Sequence, residues 1–284
     1  VKIGIGLPNQ VRNVRPETIP RWAAKAEEAG FSTLGTIGRY AYPGVSDTVT
    51  LAAAAGATST IGLLSHVLLA PTWPAPLLAK ELAGIDGVSG HRLTLGLGVG
   101  RRPDDFPVEG RGVQGRGKRM DHDLEIYRRI WKGEPVGDGT NPAVPADTRE
   151  IPLLFGGFSP TALARMAREG AGYIAASGPV SLVGPSIEAA KRAWKHAGRT
   201  GNPTIVVIGY FALGNEDQGR AQVKGYYSFQ GEEAATRMAA GVSGSQEALR
   251  ETIHSYADVG IDEFILVATT DDIDEISRAA ESVL

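Results

Sequence analysis

Cysteine is absent from all 284 residues. That excludes a disulfide framework, a thiolate nucleophile and any zinc site built on sulfur. Aromatic side chains make up only 7% of the chain and methionine only three residues. A formal net charge of −3 offers no electrostatic attraction to nucleic acid or to an anionic membrane. No apolar run approaches the roughly 18 residues that span a bilayer. No basic stretch followed by an apolar one precedes the first strand-like segment, so a cytoplasmic protein without a signal peptide is expected. The five histidines include no pair at metal-ligand spacing, and the acids are scattered over predicted helices, which argues against a metal enzyme. A G-x-S-x-G nucleophile elbow is also missing.

What is present is an ordinary soluble composition, 42% hydrophobic and 21% charged, with 37 glycines that suit many short turns. Short β-rich runs alternate with helical stretches, the signature of βα units on a parallel sheet. Strands are predicted at residues 1–7, 33–37, 61–68, 92–97, 152–155, 172–176, 204–213 and 262–268. Helices are predicted at 17–29, from 47 through 55, and at 74–88, 119–131, 160–169, 186–196 and 271–283. Eight strands, each followed by helix, predict a (β/α)8 TIM barrel forming a single domain over residues 1–284, with a doubly wound sheet as the alternative. Two stretches interrupt the beat. Residues 101–118 follow the fourth strand, and 214–245 form an insertion after strand seven that holds Tyr226, Tyr227 and Phe229 before a further helix at 246–259. Long βα loops open on the active face of a barrel. Residues 133–150 follow a helix and are expected at the opposite end.

The strand ends supply candidate site residues. Gly156-Gly157-Phe158-Ser159-Pro160 places two glycines at a strand end, then a serine in N-cap position and a proline at N1. That arrangement leaves backbone N–H groups at a helix N-terminus, a ready anion site as well as a good cap. Gly96-Leu-Gly98-Val-Gly100 lacks the spacing of a dinucleotide fingerprint; its glycines admit either a flat ligand or close barrel packing. Arg101 and Arg102 follow directly and suit a phosphate or an acidic substrate. His66, the only histidine at a predicted strand end, suits a hydrogen bond to a cofactor ring or general acid–base work, and equally a satisfied barrel position. His91 lies in the turn before strand four, on the stability face.

Taken in order, blocks spread over nearly the whole chain resemble the bacterial luciferase-like family of flavin- and deazaflavin-dependent oxidoreductases. They include Ile3-Gly-Ile-Gly-Leu-Pro8, Ala26-Glu-Glu-Ala-Gly-Phe31, Ser65-His-Val-Leu-Leu-Ala-Pro71, Ser89-Gly-His-Arg-Leu-Thr-Leu-Gly-Leu-Gly-Val-Gly100, Arg116-Gly-Lys-Arg-Met-Asp121 and Gly260-Ile-Asp-Glu-Phe264. The resemblance implies a barrel with an insertion after strand seven, often a homodimer, binding FMN or the 5-deazaflavin coenzyme F-420 across the strand ends. Carried over by position, Gly156, Gly157, Phe158 and Ser159 take the cofactor phosphate with Ser177 and Gly178 close by. Gly98, Gly100 and Arg101 then lie along the ring system, and a non-proline cis peptide behind the ring falls at His66–Val67. One departure concerns strand two, where many members carry Asp-His and this chain has Gly38-Arg39. A mechanism relying on that histidine does not transfer, which leaves Arg39 beside His66 as the catalytic candidates.

Three functions follow from the resemblance. The first is a monooxygenase that uses reduced FMN from a separate reductase and O2 on a small organic substrate. The second is an F-420-dependent hydride-transfer oxidoreductase, in which Arg39, Arg101, Arg102 or Arg111 would meet the acidic polyglutamyl tail. The third is a flavin-binding protein without turnover.

Overall fold

The computed structural model describes residues 1–108 and 110–284. Eight parallel strands close into a barrel in chain order. They are β1 (Lys2–Gly6), β2 (Thr33–Thr36), β3 (Gly62–Leu69), β4 (Leu93–Gly98), β5 (Leu153–Gly156), β6 (Gly172–Ala175), β7 (Thr204–Phe211) and β8 (Glu263–Ala268). Closure is made by β1 on β8, with Lys2 opposite Glu263 and Ile5 opposite Leu266. Around the barrel run α1 (Thr18–Glu28), α2 (Asp47–Ala57), α3 (Ala75–Val88), α4 (Arg116–Trp131), α5 (Pro160–Glu169), α6 (Val180–His196), α9 (Gln246–Ala257) and α10 (Asp274–Val283). The insertion after β7 contributes α7 (Glu216–Tyr227) and α8 (Glu232–Ala240). No described helix is long and apolar enough to cross a membrane.

Successive side chains of a strand point to opposite faces, and β7 shows what this does to the core. Ile205, Val207 and Phe211 pack outward in the layer between strands and helices. Val206, Ile208 and Tyr210 point inward, where Leu64, Leu154, Ile174 and Ile265 fill the barrel. At the end opposite the strand C-termini, the buried Asp86 carboxylate accepts from Arg149 at 2.9 Å and pairs with His91 Nδ1 at 2.7 Å. Burial raises Asp86, but the Arg149 and His91 contacts hold it below the usual carboxylate range. His91 therefore serves the stability face, as its place in the chain suggested.

The structure departs from the sequence reading in three elements. The helix expected at 186–196 begins at Val180 and carries Pro185 inside it; proline there forfeits one backbone bond, which packing of Val183 and Ile187 offsets. The helix expected from residue 119 begins at Arg116, after Gly115 in the left-handed region at φ +69°. Residues 214–245 are largely helical, and the Asn215 side chain starts α7 by accepting from the Gln218 N–H.

Candidate active site

The C-terminal ends of β2, β3, β4, β5 and β7, together with the insertion, enclose a cavity of about 430 Å³. His66 on β3 lies at its inner end, 3% exposed, and neither ring nitrogen has a hydrogen-bond partner among the described residues. Gly35 on β2 makes the space for the ring, since a Cβ at that position would come within 2.3 Å of His66 Cδ2 and Nε2. Desolvation pushes the imidazole down to about 4, so the ring is neutral at pH 7 and carries one N–H. The peptide bond from His66 to Val67 is cis, where the resemblance put it, and the β3–β4 register shifts between Ser65 and Leu68. Val67 then lines the cavity, its two methyls packed over glycines. A Cβ on Gly98 would lie 2.5 Å from Val67 Cγ2, and one on Gly156 would lie 3.1 Å from Cγ1. Gly98 thus makes room for the cavity wall itself.

At the β5 end, Gly157 turns the chain at φ +113° and Ser159 caps α5, accepting from the Ala162 N–H at 3.2 Å. No acceptor among the described residues takes the N–H groups of Phe158 and Ser159. These donors and the helix N-terminus make this the anion-binding end of the cavity. Arg101 and Arg116 line the same cavity. Arg116 is held in place by donating to Gly100 O at 2.8 Å and Val113 O at 3.0 Å.

The opposite wall is aromatic and comes from β7 and the insertion. The Tyr210 and Tyr227 hydroxyls are 3.0 Å apart, and Tyr226 stands edge-on to Tyr227 with centroids 5.1 Å apart. Burial drives Tyr210 and Tyr226 well above the usual phenol range and also raises Tyr227, so all three remain neutral donors and acceptors. Arg102 is buried beneath them, and Arg39 meets Asp105 at 2.9 Å.

Most of the expected site residues come together. His66, Val67, Gly98, Gly100, Arg101, Gly156, Gly157, Phe158, Ser159 and Arg39 all line the cavity. Ser177 and Gly178 do not: although β6 neighbours β5, the chain turns away, and Gly178 O accepts from the Tyr256 hydroxyl at 2.6 Å on the α9 side. Arg39 lines the cavity with its Nε on Asp105 and its Nη2 on Ala41 O at 2.9 Å, which ties the loop after β2 to the loop after β4. Sequence reasoning missed Asp105 and Arg116 as site residues; it placed Tyr210 at a strand end on the active face but not its pairing with Tyr227. Arg116 stood inside a family block and Tyr210 at the end of a strand; nothing in the sequence singled out Asp105 from its neighbour Asp104.

The luciferase-like monooxygenase family model matches residues 2–282, and the chain belongs to that family. Uncharacterised proteins of Mycobacterium tuberculosis and Mycobacterium bovis are 31% identical over 215 residues, covering 66% of this chain and 74% of theirs. Three solved structures share the fold. The monooxygenase RslO1 of Streptomyces bottropensis superimposes with TM-score 0.77 at 22% identity, covering 100% of this chain and 98% of that one. An F-420-dependent secondary alcohol dehydrogenase in complex with an F-420–acetone adduct gives TM-score 0.79 at 17% identity, covering 99% and 98%. The oxygenating constituent of 3,6-diketocamphane monooxygenase of Pseudomonas putida, a type II Baeyer–Villiger enzyme in complex with FMN, gives 0.75 at 16%, covering 99% and 94%.

Proposed function

We propose that this chain is an oxidoreductase that holds a phosphorylated flavin-type cofactor in the strand-end cavity. The cofactor is reduced FMN, delivered by a separate reductase, and the reaction is a monooxygenation of a small organic substrate. The residues present fit such a group. The Phe158 and Ser159 N–H groups and the N-terminus of α5 would hold its phosphate, with Arg101 and Arg116 adding charge. The neutral His66 ring, unpartnered at both nitrogens, would donate to the ring system. Bound there, the flavin supplies the redox chemistry with oxygen. The protein supplies position, a wall of neutral phenols that keeps bulk water out, and a single imidazole N–H.

The preference for FMN over F-420 rests on the arginines. An acidic polyglutamyl tail needs several uncompensated cations, and Arg39, Arg101, Arg102 and Arg111 were the ones to meet it. Arg39 is paired with Asp105, Arg111 with Asp123 at 3.1 Å, and Arg102 is buried. Of these four, Arg101 alone is both exposed and without an ion pair among the described residues, and it shares the phosphate end of the cavity with Arg116. One such arginine beside a helix N-terminus suits a single phosphate.

Equilibrium titration tests this directly. The protein is titrated with FMN, with FMN reduced under anaerobic conditions, and with F-420. Saturable binding of reduced FMN, with F-420 at least tenfold weaker, is expected. Tight F-420 binding with no FMN binding in either redox state overturns the reading. Oxygen uptake with reduced FMN that no candidate substrate alters would instead favour a flavin carrier without turnover.

A further inference from the structure

Arg102 carries a charge that no carboxylate among the described residues balances. It follows β4 by a few residues, is 6% exposed, and makes no ion pair among the described residues. Its guanidinium carbon lies 3.8 Å from the centroid of Phe229 and 4.5 Å from that of Tyr226. Nη2 donates to Tyr226 O at 3.1 Å, while Nη1 is buried with no partner. The one carboxylate among the described lining residues, Asp105, is turned away, accepting from Arg39 Nε and from the Tyr40 and Ala41 N–H groups at 3.0 and 3.1 Å.

Ring faces attract a guanidinium, but they return only part of what dehydrating it costs. An arginine cannot shed its proton to escape that cost. A buried guanidinium with an unpartnered N–H, on a side chain that lines the cavity, is therefore a site kept for an anion. The phosphate end of the cavity has its own donors at Phe158 and Ser159 and its own cations in Arg101 and Arg116. Arg102 stands instead among Tyr226, Tyr227 and Phe229, on the insertion side.

We propose that Arg102 receives an anionic oxygen of the substrate (a carboxylate, or an enolate or phenolate of equal charge) and that its preferred substrates are small organic anions with an apolar or aromatic body. This rests on the reading of the cavity as a cofactor and substrate site. The rings around Arg102 supply the contact for that body, and the unpartnered Nη1–H supplies the charged hydrogen bond.

The experiment uses benzoate and its neutral isostere benzamide as probes, measured by calorimetry and by thermal midpoint on the cofactor-free full-length protein. Benzoate is expected to bind at least tenfold tighter than benzamide and to raise the midpoint. Arg102→Met should abolish that preference, and Arg102→Lys should keep part of it. A purely structural arginine would behave differently under the same substitution. Arg102→Met removes an unbalanced buried charge, so the midpoint without ligand should stay level or rise, whereas loss of a structural anchor would lower it. FMN affinity should change less than threefold in Arg102→Met. Equal affinities for the two probes overturn the proposal, as do a lowered midpoint of Arg102→Met and a tenfold loss of FMN affinity, which would place Arg102 at the cofactor phosphate. Failure of the wild type to bind FMN at all sinks the cofactor reading alone, because the probe comparison is made without cofactor.

Discussion

The most direct physical consequence of the site is that acid should destabilise the protein through one buried ring. His66 titrates near 4 when folded, against an ordinary value of 6.5. In the unfolded chain it takes up its proton as pH falls through 6.5, while the folded chain does not follow until about pH 4. Folded stability is therefore whole above pH 6.5, declines between 6.5 and about 4, and levels off below. At about 1.4 kcal/mol per pKa unit the loss is on the order of 3 kcal/mol. Since 1 kcal/mol moves the midpoint of a chain this size by roughly 2–4 °C, the shift is about 6–12 °C. Carboxylates also respond to acid, so the quantity to measure is a difference. Thermal midpoints of the wild type and His66→Leu are compared from pH 7.5 to 4, and the wild type should lose that much relative to the variant. Imidazole resonances followed by NMR report the same protonation directly. A midpoint difference that stays flat, or a His66 resonance that titrates near 6.5, would refute the desolvated, neutral ring.

Other consequences can be measured separately. Gly35→Ala puts a methyl where His66 Cδ2 and Nε2 now lie, 2.3 Å from the ideal Cβ, with Ile265 Cγ2 at 3.1 Å. It should cost roughly 1–3 kcal/mol of stability and weaken FMN binding at least tenfold as the ring is driven into the cavity; unchanged affinity would mean that His66 does not border the cofactor. Ser159→Glu sets a like charge against the phosphate and should abolish FMN binding while the circular dichroism spectrum persists; an unaltered dissociation constant would move the phosphate elsewhere. Glu27 accepts from Ser59, Thr60 and Ile61 N–H groups at 2.6–3.1 Å, which overcome desolvation and bring its carboxyl down to about 2. Its contribution is present above the ordinary 4.5 and lost as pH falls toward 2. Because the group is largely solvated, Glu27→Gln should cost only about 1 kcal/mol at pH 7 and nothing at pH 2, as read from the midpoints.

What the chain determined by itself is the local and the repetitive. Alternating faces of β7, the Ser159-Pro160 helix start and eight strand–helix units were legible because period and capping are properties of neighbouring residues. So was the gathering of Val67, Gly98, Gly156 and Ser159, since a closed parallel barrel delivers every strand end to one face. Family blocks located the cis bond at His66–Val67, which no local preference would have suggested. Tertiary structure alone decided which of those residues are available to a ligand. Arg39 and Asp105 stand 66 residues apart in the chain, and their pairing gave a catalytic candidate a second task, bracing the loop after β2 against the loop after β4. Ser177 and Gly178 shared the right strand end yet lie outside the cavity lining, and Gly178 O is taken by Tyr256 of α9. Arg102 looked like one of two equivalent loop arginines until the insertion, more than a hundred residues later, laid Tyr226 and Phe229 over it. Charge and hydrogen-bond capacity are written in the sequence, but whether they are spent inside the protein depends on partners that only the closed barrel brings near.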